Sequence, residues 1–279
     1  MFRVGLSSDG FELTEENFKL LRESKIDIIE VRKPVIDFEA IKVWSERYGV
    51  ELWSCHLPFT PFKEINIATS DQSLRERSIQ LYTELIQKGT DVGIKKFVVH
   101  PSGKINPEDN RAECIKYSMQ SLDQLAEIAY QYGAVIAVED LPRNCLGNTI
   151  AELAQIISAN DKLRICLDTN HLLQDDNVEF IKRFGDKIVT LHVSDYDFLN
   201  ERHWLPGEGQ LDWQGILAAL KEVGYSGPWM YEMYLCSTKN IIREKDLSFS
   251  DIYDNAMSLF ANKKPKVMGT IVEGLGGWQ

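Results

Sequence analysis

The chain has 279 residues, 44% of them hydrophobic, which matches the length and apolar content of one (βα)8 barrel or a large open sheet. Its 42 acidic against 31 basic residues give a net charge of −11, the opposite of the basic footprint that a phosphate-backbone binder needs. No apolar run approaches the roughly 18–20 residues that would cross a bilayer, so a membrane helix is excluded. The five cysteines are odd in number and lack C-x-x-C spacing, and no leader precedes the first apolar run. Reduced thiols and a cytoplasmic location are expected.

In chain order, eight short apolar runs predict strands: "FRVGLSS", "IDIIEVR", "VELWSCHL", "KKFVVHP", "AVIAVEDL", "RICLDTNH", "IVTLHVSD" and "PWMYEMY". Near-continuous apolar character suits parallel strands buried on both faces. Helical patterns separate them. Ile115, Met119, Leu122, Ala126 and Ala129 form one stripe. Trp213, Ile216, Leu217, Leu220 and Val223 form another, with Gly224 as its stop. Thr14, Asp71 or Ser73, and Ser250 are candidate N-caps. Eight strand–helix units without a composition break predict a single α/β (βα)8 TIM barrel over residues 1–262. Residues 263–279 are expected to form a tail whose Ile271, Val272, Leu275 and Trp278 dock on the barrel or on a neighbouring subunit, so a homo-oligomer is possible.

Ionisable residues collect where strands end. His56 closes the third run, His100 the fourth, Glu139 and Asp140 the fifth, and Asp168 with His171 the sixth. His192 and Asp195 close the seventh and Glu232 the eighth. In a barrel these ends converge on one face, where active sites lie. Each group alone reads as an ordinary structural residue, but carboxylates gathered without partners repel one another. A divalent cation relieves that repulsion. Carboxylates with imidazole suit Mn²⁺, Co²⁺, Mg²⁺ or Zn²⁺. Cys166 shares the face of Asp168 one layer deeper and reads as barrel filling.

The motifs "HLPF", "VVHPSG", "VEDLP", "LDTNH", "LHVSDYD", "RHWLPGEGQLDW" and "GPWMYEMY" resemble the xylose isomerase-like barrel superfamily, over about residues 1–262. That superfamily holds sugar and sugar-phosphate isomerases and epimerases as well as endonuclease IV. The resemblance implies one divalent metal ion held by Glu139, Asp168, His192 and Glu232. It gives Glu139 and Glu232 the proton transfer beside a carbonyl, and it places His171 on substrate oxygens.

The nuclease branch uses three zinc ions, and His56, His100 and His171 match its ligand positions. Its Asp-x-His pair has a counterpart in Glu201-Arg202-His203. The longer Glu201 side chain, the "HWLPGEGQLDW" form and the acidic total favour the sugar branch. Phe62 is the sole candidate wedge for a duplex, so nucleic acid is not the expected partner. His56, His100, His171, Glu201 and His203 are therefore read as facing a sugar or sugar-phosphate substrate. Arg32, Lys33, Lys104 and Arg143 are candidates to receive a phosphate or carboxylate. Trp53 and Trp204 are candidates to stack on a sugar ring, whereas Trp213 and Trp229 read as packing. A non-catalytic sugar-binding barrel is the remaining alternative, disfavoured by the intact Glu139 and Glu232.

Overall fold

A computed structural model describes residues 1–33, 35–272 and 274. Strands and helices alternate: β1 Val4–Ser7, α1 Glu15–Glu23, β2 Ile28–Val31, α2 Phe38–Tyr48, β3 Glu51–His56, α3 Gln72–Asp91, β4 Lys96–Val99 and α4 Arg111–Gln131. The second half continues with β5 Val135–Glu139, α5 Ile150–Ile157, β6 Arg164–Asp168, α6 Asn177–Phe184, β7 Ile188–His192, α7 Trp213–Glu222, β8 Trp229–Tyr231 and α8 Phe249–Phe260. Two short strands, β9 Ile241–Ile242 and β10 Thr270–Ile271, pair antiparallel outside the barrel.

The eight main strands pair in the order β7-β6-β5-β4-β3-β2-β1-β8. A parallel bridge between Val193 and Tyr231, with the Val193 N–H donating to the Met230 carbonyl at 2.8 Å, brings the two ends of that order together. The result is a closed (βα)8 TIM barrel. Most core residues lie between strands and helices. Val98, Ala137 and Cys166, with Val189 against them, form a small separate cluster. Cys166 is fully buried there and bonded to no other cysteine, as its reading as filling requires.

Each of the eight α-helices among the described residues begins on a side-chain cap: Thr14, Asp37, Asp71, Asn110, Thr149, Asp176, Asp212 and Ser248. Thr14 and Asp71 match expectation. Ser250 does not, because Ser248 builds a capping box with Asp251 two residues earlier, the reciprocal bonding that satisfies two orphan N–H groups. Gly224, with φ +73°, follows α7 as the stop residue.

In the tail, Ile271 pairs with Ile241 through β10 and β9, the Val272 N–H donates to the Asn240 carbonyl at 3.1 Å, and Ile271 itself stays exposed. Leu275 and Trp278 lie outside the described residues. No helix among the described residues is long and apolar enough to cross a membrane.

Candidate active site and metal centre

The strand order explains why residues far apart in sequence meet. Glu139, Asp168 and His192 are the last residues of β5, β6 and β7, and Glu232 follows β8 directly. One ligand atom from each of these four lies within 4.8 Å of the others, and all four side chains are buried. His192 Nδ1 is 3.1 Å from Glu139 Oε1 and 2.9 Å from Glu232 Oε2. Asp168 Oδ2 is buried without a hydrogen-bond partner, its near neighbour being His171 Nε2 at 3.4 Å. A buried carboxylate oxygen that accepts no hydrogen bond, beside two more carboxylates, is a costly arrangement in the absence of a cation. The donor set fits a divalent metal ion.

Two further groups of three meet the same 4.8 Å condition: His56, His100 and Glu139, and Asp168, His171 and His203. Glu139 joins the first to the centre, since its Oε2 lies 3.0 Å from His56 Nε2 and 3.1 Å from His100 Nε2. Glu201 Oε1 sits 2.9 Å from His203 Nε2 and 3.7 Å from His171 Nε2.

The electrostatics follow from burial and these neighbours. Burial opposes ionisation of Glu139, but His192 and His100 outweigh it and hold the carboxyl well below the usual range. Burial pushes His100 down to about 4. His171 is also desolvated, yet the charges of Asp168 and Glu201 lift it to about 10. Burial lifts Asp140 well above the carboxylate range, despite the nearby His171.

A cavity of about 220 Å³ opens above these groups. His100, Glu139, His171, Glu201, His203 and Glu232 all line it. His56 does not. Its ring nitrogens meet the Leu57 carbonyl (Nδ1, 2.8 Å) and Glu139 (Nε2), and it borders an adjoining pocket with Arg32, Lys33 and Phe59. Arg32 and Arg143 reach the cavity and pair with Glu232 and Glu201 respectively. Lys33 pairs instead with Glu12 at 2.9 Å, and Lys104 lines a separate groove. Phe62 forms part of the cavity wall. It packs on Gly103, where a Cβ would come within 2.6 Å of the ring.

Neither tryptophan expected to stack on a sugar is available for it. Trp204 is 1% exposed, with its Nε1–H donating to Asn240 Oδ1, and Trp53 has the Lys96 ammonium 3.4 Å over its ring. Phe59 is the aromatic wall of the cavity and stacks on His100 at 3.9 Å.

The stretch "ERHWLPGEG" divides into two parts. Glu201 and His203 face the cavity, with His203 at φ +53°. Asn170 Oδ1 fixes their approach by accepting from the N–H groups of Arg202 and His203 at 3.0 and 3.3 Å. The "PGEG" part is scaffold. Asp195 accepts from the N–H groups of Tyr196, Gly207 and Leu211 and from the Trp213 indole, so this strand-end acid organises the loop and is not part of any of the ligand groups. Glu208 pairs with Arg243 through two 2.8 Å contacts.

One buried acid escaped the sequence reading. Glu30, in the middle of "IDIIEVR", is fully buried and lies 2.9 Å from His192 Nε2. Its only signal was a carboxylate inside an otherwise apolar strand.

A family model described as xylose isomerase-like TIM barrel matches residues 8–247. Among curated proteins, the chain is 30% identical over 193 residues to an uncharacterized protein of Methanocaldococcus jannaschii, covering 65% of this chain and 64% of that one. It is 29% identical over 199 residues to a probable endonuclease 4 of Thermoplasma acidophilum (64% and 66% covered). It is 32% identical over 136 residues to an inosose isomerase of Bacillus subtilis (44% and 49% covered). These matches span about half to two thirds of the relatives' own length. Among solved structures, a D-tagatose 3-epimerase-like protein superposes with a TM-score of 0.79 at 22% identity, covering 93% of this chain and 97% of that one.

Proposed function

Since the chain belongs to the xylose isomerase-like TIM-barrel family, we propose that it is a divalent-metal-dependent isomerase or epimerase of sugars or sugar phosphates. The observation that carries this reading is the meeting of Glu139 and Glu232 with Asp168 and His192 beneath one small cavity. Its 220 Å³ is below the roughly 300–1,000 Å³ of drug-sized ligand pockets and suits a molecule of monosaccharide size. The inosose isomerase match and the epimerase-like fold neighbour support the same class.

Glu139, Asp168, His192 and Glu232 would hold the metal. When bound, the ion supplies Lewis acidity, polarising the carbonyl and its neighbouring hydroxyl. Glu139, ending β5, and Glu232, just after β8, reach the same cavity from strands three apart in the ring, and carry the proton to and from the carbon beside the carbonyl. His56 and His100 contact Glu139 Oε2 at 3.0 and 3.1 Å and hold the carboxylate in place. Arg32 orients Glu232. His171 and His203 donate hydrogen bonds to substrate oxygens, and Glu201 aligns both rings.

Replacing Glu139 or Glu232 by Gln keeps an oxygen donor and removes the titrating group. Each change is expected to lower turnover by at least about 10²–10⁴-fold, with metal content measured in the same samples. Normal turnover by both metal-loaded variants would overturn the assignment.

The two additional ligand groups and the endonuclease 4 relative favour a second reading: a zinc-dependent nuclease for abasic DNA. The charge of −11 and the pairing of Glu201 with Arg143 weigh against it. Metal analysis separates the two, one ion per chain for the sugar enzyme and three zincs for the nuclease.

A further inference from the structure

We infer that Glu30 is a positioning residue for the metal centre, fixing His192 with its proton on Nε2 so that Nδ1 is presented as the ligand atom. The inference rests on the metal site proposed above, and Glu30 is not itself one of the clustered ligands.

The strand register builds the arrangement. Ser7 pairs with Glu30 across β1 and β2, and Glu30 pairs with Ser54 across β2 and β3, so three polar side chains form a row through an otherwise apolar wall. Ser7 Oγ donates to Glu30 Oε1 at 3.1 Å and Ser54 Oγ donates to Oε2 at 2.8 Å. From β7, His192 meets Oε1 through Nε2 at 2.9 Å. Every side chain in the row, and His192 itself, is fully buried.

An ionised carboxylate in such a place persists only when donors surround it. Two hydroxyls and one imidazole N–H meet that need, and the third donor exists only if Nε2 carries hydrogen. The opposite ring nitrogen then faces Glu139 Oε1 and Glu232 Oε2, where a cation can take the place of a proton. Partners of this kind behind a ligating histidine set its tautomer and raise its basicity, and their loss typically weakens metal affinity about 10–100-fold.

The test titrates metal-free protein with Co²⁺ against a chelating competitor and follows the cobalt visible spectrum. Glu30→Gln, which keeps shape but not charge, is expected to bind Co²⁺ about 10–100-fold more weakly than the wild type. Its melting temperature without metal serves as the folding control. Wild-type affinity in a folded Glu30→Gln protein overturns the inference.

A second measurement needs no variant. In ¹⁵N-histidine NMR of the zinc-loaded wild type, His192 should carry hydrogen on Nε2 and none on Nδ1. The reverse pattern overturns the inference even if Glu30→Gln fails to fold. Failure of the wild type to bind Co²⁺ would instead remove the metal site on which it rests. No substrate enters either experiment, so a wrong sugar assignment leaves both outcomes readable.

Discussion

Asp168 Oδ2 and the ring of His192 are the atoms on which the metal assignment turns. Both are fully buried, and Asp168 Oδ2 accepts no hydrogen bond. Asp168→Ala and His192→Ala are each expected to strip the bound metal while leaving the barrel's circular dichroism intact. Full metal occupancy in both variants would contradict that. A second residue-scale expectation concerns acid. In the metal-free protein His100 stays neutral down to about pH 4, whereas an unfolded imidazole takes up its proton near 6.5. The unfolded state therefore binds more protons between those values, and stability falls as the pH drops through that window. The full shift corresponds to about 3 kcal/mol at about 1.4 kcal/mol per pKa unit. Urea unfolding at pH 7 and pH 4.5 should show a smaller loss for His100→Gln than for the wild type, and equal losses would contradict the assignment. The gathering of Glu139, Asp168, His192 and Glu232 was legible in the sequence because strand ends share a face. Glu30 was not, because a lone acid in an apolar run announces no partner, and His192 lies 162 residues away.

Among the elements, the loop between β7 and α7 depends on distant support. Glu208 is almost fully buried, takes both arms of Arg243 at 2.8 Å, and accepts from the N–H groups of Leu205 and Met268 at 3.1 and 2.9 Å. It thereby ties the loop carrying Glu201 and His203 to the segment before α8 and to the tail. Removing one partner of a buried ion pair strands the other charge and typically costs about 3–5 kcal/mol. Arg243→Leu should destabilise the protein by that amount in denaturant unfolding, with much of the loss recovered in the Glu208→Leu, Arg243→Leu double variant. A loss below about 1 kcal/mol would mean that the pair does not hold the loop; surface pairs are worth that little. The sequence marked this loop through Glu201-Arg202-His203 and the "HWLPGEGQLDW" form, without separating its supporting part from its cavity-facing part. The division was hidden because Arg243 and Asp195 reveal their partners only after folding. Likewise Trp204 reads as a stacking residue until Asn240 is found at its indole nitrogen.

For the molecule as a whole, the eight-fold alternation of apolar strands and striped helices was legible because parallel burial and helical periodicity both leave marks in a single chain. The caps were less so, as Ser248 and Ser250 differ only in which N–H each can reach. The expectation of one metal ion rested on the resemblance alone, since His56, His100, His171 and His203 have side chains that can ligate a metal, meet a substrate or support Glu139. The reaction decides. Metal-loaded protein should be incubated in D₂O with a panel of ketoses and ketose phosphates and the products read by NMR. The expected result is conversion of at least one member to its epimer or isomer, with deuterium at the carbon beside the carbonyl and no such product from Glu139→Gln. No conversion of any member by fully metal-loaded protein, together with metal-dependent nicking of an abasic duplex by the same preparation, would contradict the sugar assignment.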